Sequence, residues 1–334
     1  MWNRFVLTLA AVGLVSTAAA AGQAPQAAPK PPANEDCLAC HGDADAKRAD
    51  GRTIAVDAKR FEGSTHGPMA CVDCHADLAK LTEFPHPDTL AKVACASCHD
   101  DIGSKYRDSI HAWAKEKAGL NVAPSCTDCH GRHDIAKKTD PASRVARPNI
   151  PTTCGRCHEG IKQKYDAGIH AIALKRGDSR APVCADCHTA HSIQRADTDA
   201  WRLSVTAECG SCHIESARTF LDTFHGQVTA LGYTRVAACA DCHGAHDIFP
   251  KSDARSTVSP ARLVTTCGRC HAGASASFVQ YDPHANRTDK ALNSTLYYAA
   301  KFMNLLLLGV FGFFGLHTVL WLSRGLKARS EARR

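Results

Sequence analysis

The spacing C-x-x-C-H occurs nine times along the chain: Cys37, Cys40 and His41; Cys71, Cys74 and His75; Cys95, Cys98 and His99; Cys126, Cys129 and His130; Cys154, Cys157 and His158; Cys184, Cys187 and His188; Cys209, Cys212 and His213; Cys239, Cys242 and His243; Cys267, Cys270 and His271. Two thiols three positions apart, followed at once by an imidazole, form the set that c-type haem attachment requires. The thiols form thioethers with the porphyrin vinyl groups and the histidine becomes the proximal ligand of the iron. C-x-x-C also serves redox thiols and zinc ribbons, but neither use explains a histidine after every pair. The nine motifs consume all 18 cysteines, so none remains for a disulfide or a catalytic thiol. Nine covalently bound haem c are expected.

Of 19 histidines, nine are the proximal ones of these motifs. Nine more lie outside the motifs and before the apolar C-terminal segment, at His66, His86, His111, His133, His170, His191, His225, His246 and His284, and the nineteenth, His317, lies within that segment. These are the candidate distal ligands, and their number matches bis-histidine closure of nine irons. A surface or hydrogen-bonding role competes for each of them. It weighs most for His86, which stands in "EFPHPD" outside any repeated pattern. Without His86, one haem would be five-coordinate and reactive.

The residues after each motif form a repeat. One type reads "CASCHDDIGSKYRDSIHAWA" (95–114), with close copies starting at 154, 209 and 267. Each carries an aromatic residue seven positions after its proximal histidine, at Tyr106, Tyr165, Phe220 and Phe278, and a second histidine 12 or 13 positions after it. Seven residues is close to two helical turns, so these rings share a helical face with the histidine and are expected against porphyrin. The other type reads "CTDCHGRHDI", "CADCHTAHSI" and "CADCHGAHDI" (from 126, 184 and 239), with a second histidine only three positions on. That link is too short to reach the opposite face of the same ring. His133, His191 and His246 are therefore expected on neighbouring haems, each stapling one module to another. Two-haem modules begin at 95, 154 and 209, with a half module at 267, and the motifs at 37 and 71 form a more divergent opening pair.

The elements around this region are expected to be a signal peptide (1–21), a Pro/Ala-rich leader (22–36), a nine-haem domain (37–294), a transmembrane helix (295–323) and a basic tail (324–334). The N-terminus has Arg4, an apolar run and small residues at Ala18 to Ala21, as a secretory signal does. The segment "FMNLLLLGVFGFFGLHTVLWL" (302–322) is 21 residues without a formal charge, long enough to cross a bilayer. The tail beyond it carries five basic residues and one acidic, which by the positive-inside rule belongs in the cytoplasm. The haem domain would then lie on the periplasmic side of the inner membrane. The formal charge of +7 falls to about +2 without Arg4 and the tail, so no nucleic-acid partner is expected.

On its nine motifs and recurrent CHxxH and HA/HG signals, the stretch 37–286 resembles the periplasmic multihaem cytochromes c. That resemblance implies a mainly α/irregular fold of short helices and loops wrapped around stacked haems. The segment "GLHTVLWLSRGL" (315–326) is similar to a histidine-bearing helix of the di-haem b-type cytochromes of quinone-linked complexes, although one span is too few to enclose a haem. Two readings of His317 result, a ligand to a haem b shared with a membrane subunit and a hydrogen bond to a neighbouring helix. Gly309, Gly312 and Gly315 offer a small-residue stripe for close helix approach. The function implied is electron transfer between a membrane quinone-reactive or cytochrome b partner and periplasmic redox proteins. The competing reading is a multihaem reductase of a small nitrogen or sulfur compound. It requires an open haem, and no motif here has the lysine-for-histidine replacement of the pentahaem nitrite reductases.

Overall fold

The computed structural model describes residues 30–334; the expected signal peptide and most of the expected leader lie outside the described residues. Short helices joined by turns make up the described residues up to Asn293, and among the described residues the only β pairing is a single bridge between Lys47 and Thr53. The first helix, Asn34–His41, begins inside the expected leader, because Asp36 accepts a hydrogen bond from Ala33 N at 2.8 Å and caps the turn. The chain divides into two compact units. One comprises Met1–Val56 with Met69–Ala94, and the other Asp57–Pro68 with Cys95–Arg334.

The helices are short for local reasons. In four motifs, at Cys71, Cys126, Cys184 and Cys239, the residue before the second cysteine is aspartate. Its carboxylate accepts from the backbone N–H just before the first cysteine, at 2.8, 2.7, 2.6 and 2.9 Å for Asp73, Asp128, Asp186 and Asp241. This starts a single helical turn. In the last three of these motifs the residue after the proximal histidine has positive φ (Gly131 91°, Thr189 62°, Gly244 83°), which stops the turn at once.

In the other motif type a longer helix comes next, Asp100–Arg107, Glu159–Ala167 or Ile214–Leu221. After a tight corner comes a second helix, Ile110–Glu116, Ile169–Lys175 or Phe224–Ala230, with a spare histidine at its second position. Ser109 and Thr223 cap two of these by accepting from Ala112 N and Gly226 N at 3.1 Å. The residue after each spare histidine must be small: Ala112 and Ala171 are buried, and a Cβ on Gly226 would lie 2.1 Å from the Phe220 carbonyl.

Little of the interior is built from the chain's own apolar side chains. Five of the ten buried hydrophobic residues are alanines, and Tyr165, Trp201 and Phe220 are the large ones. A small core of this kind suits a chain that wraps a large apolar group instead of packing on itself.

The final element, Ser294–Ala332, is one continuous helix of 39 residues, exposed from Lys301 onward, with mean hydropathy 2.1 over its most apolar stretch. At 1.5 Å per residue it is about 58 Å long, against about 30 Å of bilayer hydrocarbon. It therefore extends beyond the expected span at both ends, and the basic tail is helical to Ala332.

Candidate haem-binding site

The spare histidines do not scatter over the surface. Each of eight faces a proximal histidine. Ring centres are separated by 5.9 Å for His41 and His86, 6.1 Å for His66 and His99, 6.2 Å for His111 and His158, and 6.0 Å for His130 and His191. For His170 and His213 the separation is 6.2 Å, for His188 and His246 6.0 Å, for His225 and His271 5.9 Å, and for His243 and His284 6.1 Å. His75, in the first unit, and His133, in the second, complete the two sets of nine.

Such separations suit a shared metal. Two metal–imidazole bonds of about 2.0 Å, plus about 1.1 Å from each nitrogen to its ring centre, put the rings about 6.2 Å apart. Zinc would need four ligands converging on one point, and among the described residues no group of three or more His, Cys, Asp or Glu is so placed. A ligand pair on opposite sides, with a C-x-x-C beside one member, fits a haem.

The chain prepares these imidazoles as neutral ligands. Burial pushes His111, His130, His170, His188, His191, His225, His243 and His246 below the usual histidine value, favouring the unprotonated form a metal requires. His41 Nδ1 donates to the Ile54 carbonyl at 2.8 Å and His86 Nδ1 to the Pro87 carbonyl at 2.9 Å, so the Nε2 lone pair of each is available. His284 Nδ1 lies 3.1 Å from Thr219 Oγ1. Trp201 stacks on His188, 4.7 Å between centres, a support that no motif spacing announces.

The pairing obeys a rule. Four spare histidines reach forward to the next motif of the longer-link type, His66 to His99, His111 to His158, His170 to His213 and His225 to His271, whereas at the two ends of the row His86 reaches back to His41 and His284 back to His243. Those on the three-residue link reach back to the preceding C-x-D-C-H motif: His191 to His130 and His246 to His188. His246 does not face His243, whose partner is His284. The positive-φ residue explains this, since it turns the chain away from the helix axis directly after the proximal histidine.

Neighbouring motifs also touch. The first cysteines of neighbouring motifs lie side by side in pairs, Cys37 with Cys71, Cys95 with Cys126, Cys154 with Cys184 and Cys209 with Cys239. In the second unit, Cys129 lies near Cys157, Cys187 near Cys209, and Cys242 near Cys267 and Cys270. From 95 to 267, spatial order thus matches chain order. The opening pair at 37 and 71 has the same side-by-side first cysteines as the later modules, and its second motif has the same aspartate cap, so it diverges less than its flanking sequence suggests.

Of the four spaced aromatics, two tie motifs together. Tyr106 and Tyr165 donate to the carbonyls of Pro124 and Pro182, two residues before the next motif, at 2.5 and 2.8 Å. Burial pushes the Tyr165 hydroxyl up to about 12. Phe220 is buried, whereas Phe278 is half-exposed with its ring 4.9 Å from that of His271. His317 lies on the exposed C-terminal helix, where it makes no hydrogen bond or ring contact among the described residues.

Residues 44–158 match the class III cytochrome c family. The chain is also 25% identical over 215 residues to the high-molecular-weight cytochrome c of Nitratidesulfovibrio vulgaris Hildenborough, an alignment covering 63% of this chain and 31% of that protein. It is 29% identical over 150 residues to the multihaem cytochrome MtrA of Shewanella baltica OS185, covering 38% of this chain and 43% of that protein. The chain thus spans less than half the length of these relatives. No solved structure matches it. Together with the paired histidines, these likenesses support a multihaem cytochrome c.

Proposed function

We propose that the chain is a membrane-anchored nine-haem electron conductor, passing electrons between a quinone-reactive or cytochrome b subunit in the inner membrane and periplasmic redox proteins. The observation that carries this reading is closure: every one of eight proximal histidines faces a second histidine at a separation of 5.9–6.2 Å. An iron held between two imidazoles has no open position for a substrate, which suits a conductor and not a reductase. His86, the histidine on which an open site depended, faces His41 with ring planes 3° apart.

Haem c, when bound, takes up and releases single electrons; the chain's task is to hold the rings in sequence. Cysteines of successive motifs in contact would bring successive rings close, and electron tunnelling is fast only over short distances. The helix Ser294–Ala332 serves as the anchor. Between Lys301 and Arg324 lie 22 residues, about 33 Å of helix, which matches the hydrocarbon thickness. Tyr297 and Tyr298 sit at one end and Trp321 at the other, as interfacial aromatics do. The basic end faces the cytoplasm and the haem domain the periplasm. His317 and the glycines at 309, 312 and 315 face a membrane subunit, with His317 a ligand to a shared haem b.

Low-temperature EPR of the oxidised protein in mild detergent, with haem c and haem b quantified in the same sample, tests the proposal. Nine haem c, all low-spin, are expected. A stoichiometric high-spin signal would overturn the conductor reading, and haem b missing from an intact complex would remove the role given to His317.

A further inference from the structure

The repeat stops half-way through a module, and the surface left at that end has three counterparts earlier in the chain. In each counterpart a C-x-D-C-H-x-x-H-x-Ile segment covers it. The residue before a spare histidine donates its backbone N–H to the isoleucine carbonyl of that segment: Thr65 to Ile135 at 2.8 Å, Ile110 to Ile193 at 2.7 Å, Ile169 to Ile248 at 2.8 Å. The same segment brings its first cysteine against the preceding motif and, in two modules, the proline two residues before it accepts the tyrosine hydroxyl. It is one recurring interface, built from a backbone bond, a haem motif and an aromatic contact.

At the fourth position the receiving side is formed in the same way. The backbone before Phe224 has φ −87° and ψ 163° at Thr223, against −87° and 157° at Ser109 and −83° and 164° at Gly168. Yet Phe224 is 75% exposed and its N–H meets no acceptor among the described residues, whereas Ile110 and Ile169 are half-buried. Phe278, the counterpart of Tyr106 and Tyr165, is likewise half-exposed, and Tyr281 beside it is exposed. Residues 268–334 hold no C-x-D-C-H-x-x-H-x-Ile segment, and the three isoleucines of this kind among the described residues, Ile135, Ile193 and Ile248, are already engaged. A second copy therefore has none to offer.

We infer that the end face formed by Phe224, Phe278 and Tyr281 docks a separate c-type cytochrome through a C-x-x-C-H-x-x-H-x-Ile segment, which continues the haem row by one ring. This rests on the conductor reading and names the class of partner with which electrons are exchanged at the haem of Cys267. The face lies at the membrane end of the row. Arg287 pairs with Asp222 at 3.3 Å, and only six residues, at most about 25 Å of extended chain from Arg287, separate it from the anchor helix at Ser294.

The probe is the haem-bearing peptide of residues 239–250, titrated calorimetrically into the full-length holoprotein in detergent. One-to-one binding is expected, with protection of the Phe224 amide from hydrogen exchange. Phe224→Asp, an exposed change that leaves the fold intact, should weaken binding at least 10-fold, and Phe224→Ile, which reproduces Ile110 and Ile169, should retain it. No binding to the native protein, or equal binding by Phe224→Asp, overturns the inference. A dimer in sedimentation velocity that Phe224→Asp dissociates also overturns it, because the face would then be covered by a second copy. The haem count and spin state of the same samples report on the conductor reading separately, so nine closed irons with no peptide binding would refute the docking site alone.

Discussion

Removing the His246 imidazole should open an iron 58 residues upstream of it and leave the adjacent one untouched. His246 lies three residues after His243, but its ring is 6.0 Å from that of His188 and within 7° of parallel to it, while His243 faces His284 at 6.1 Å. On the proposed bis-histidine closure, His246→Ala would therefore take the sixth ligand from the haem held by Cys184 and Cys187. One iron in nine becomes high-spin, so about 11% of the low-spin EPR intensity is lost and one carbon monoxide binds per reduced chain. The backbone bond from Ile169 N to the Ile248 carbonyl does not use the imidazole, so the two modules stay joined. The deciding background is Cys184→Ala with Cys187→Ala, which carries eight haems and has lost the iron that His246 faces. Adding His246→Ala to it should leave carbon monoxide uptake unchanged. If uptake rises by one per chain, His246 ligates the haem of its own motif and the pairing rule is wrong.

Three further outcomes are expected. Thr189 occupies a backbone region (φ 62°, ψ 174°) where its two counterparts are Gly131 and Gly244. Thr189→Gly relieves about 1–3 kcal/mol of strain, partly offset by about 1 kcal/mol of added unfolded-state entropy, and should raise the thermal midpoint by a few degrees; Gly244→Thr should lower it. The imidazole planes of His66 and His99 are 69° apart, against 3–7° for the pairs His41 and His86, His130 and His191, and His188 and His246. Because plane orientation sets the iron d-orbital splitting, the most anisotropic low-spin EPR signal should vanish in His66→Ala and survive in His191→Ala. The side chain of Arg255 holds the Asp253 carboxyl at about 2, below its ordinary 3.8. Its contribution to stability is thus present above pH 4 and lost as pH falls through about 2, so the deficit of Asp253→Ala in denaturation midpoint should be constant from pH 5 to 7 and disappear near pH 2.

The haem motifs and the equality of proximal and spare histidines were legible in the sequence because covalent attachment and axial ligation leave fixed residue types at fixed spacings. The short link in CHxxH also pointed away from its own motif, and His191 and His246 indeed face the proximal histidines of other motifs. Which ring each serves was not legible, since that depends on a turn sense. The positive φ at Gly131, Thr189 and Gly244 sets it, and the threonine hides the pattern that two glycines would suggest. The C-x-D-C-H aspartates were visible at 73, 128, 186 and 241 and mark the alternation through the opening pair, but their meaning as caps needs the N–H that each accepts. Trp201 against His188, and the isoleucine carbonyls of 135, 193 and 248, had no local signal because their partners lie far away in the chain.

The pairing rule bears on how the protein folds. The module with motifs at 154 and 184 sends His170 forward to His213 and His191 back to His130, and receives His111 and His246 in return. Neither of its proximal histidines, His158 or His188, is faced by a histidine of its own module. A fragment of residues 150–206 therefore keeps both haem attachment motifs and closes neither iron, although it holds two spare histidines. Expressed alone with its haems attached, it should bind two carbon monoxide molecules, or ligate its irons with the wrong histidines and show altered low-spin signals. The intact chain should bind none. The modules starting at 95, 154 and 209 thus each have their proximal histidines faced from both neighbours, and in the second unit this histidine exchange also holds the motifs in chain order, as the proposed electron path requires.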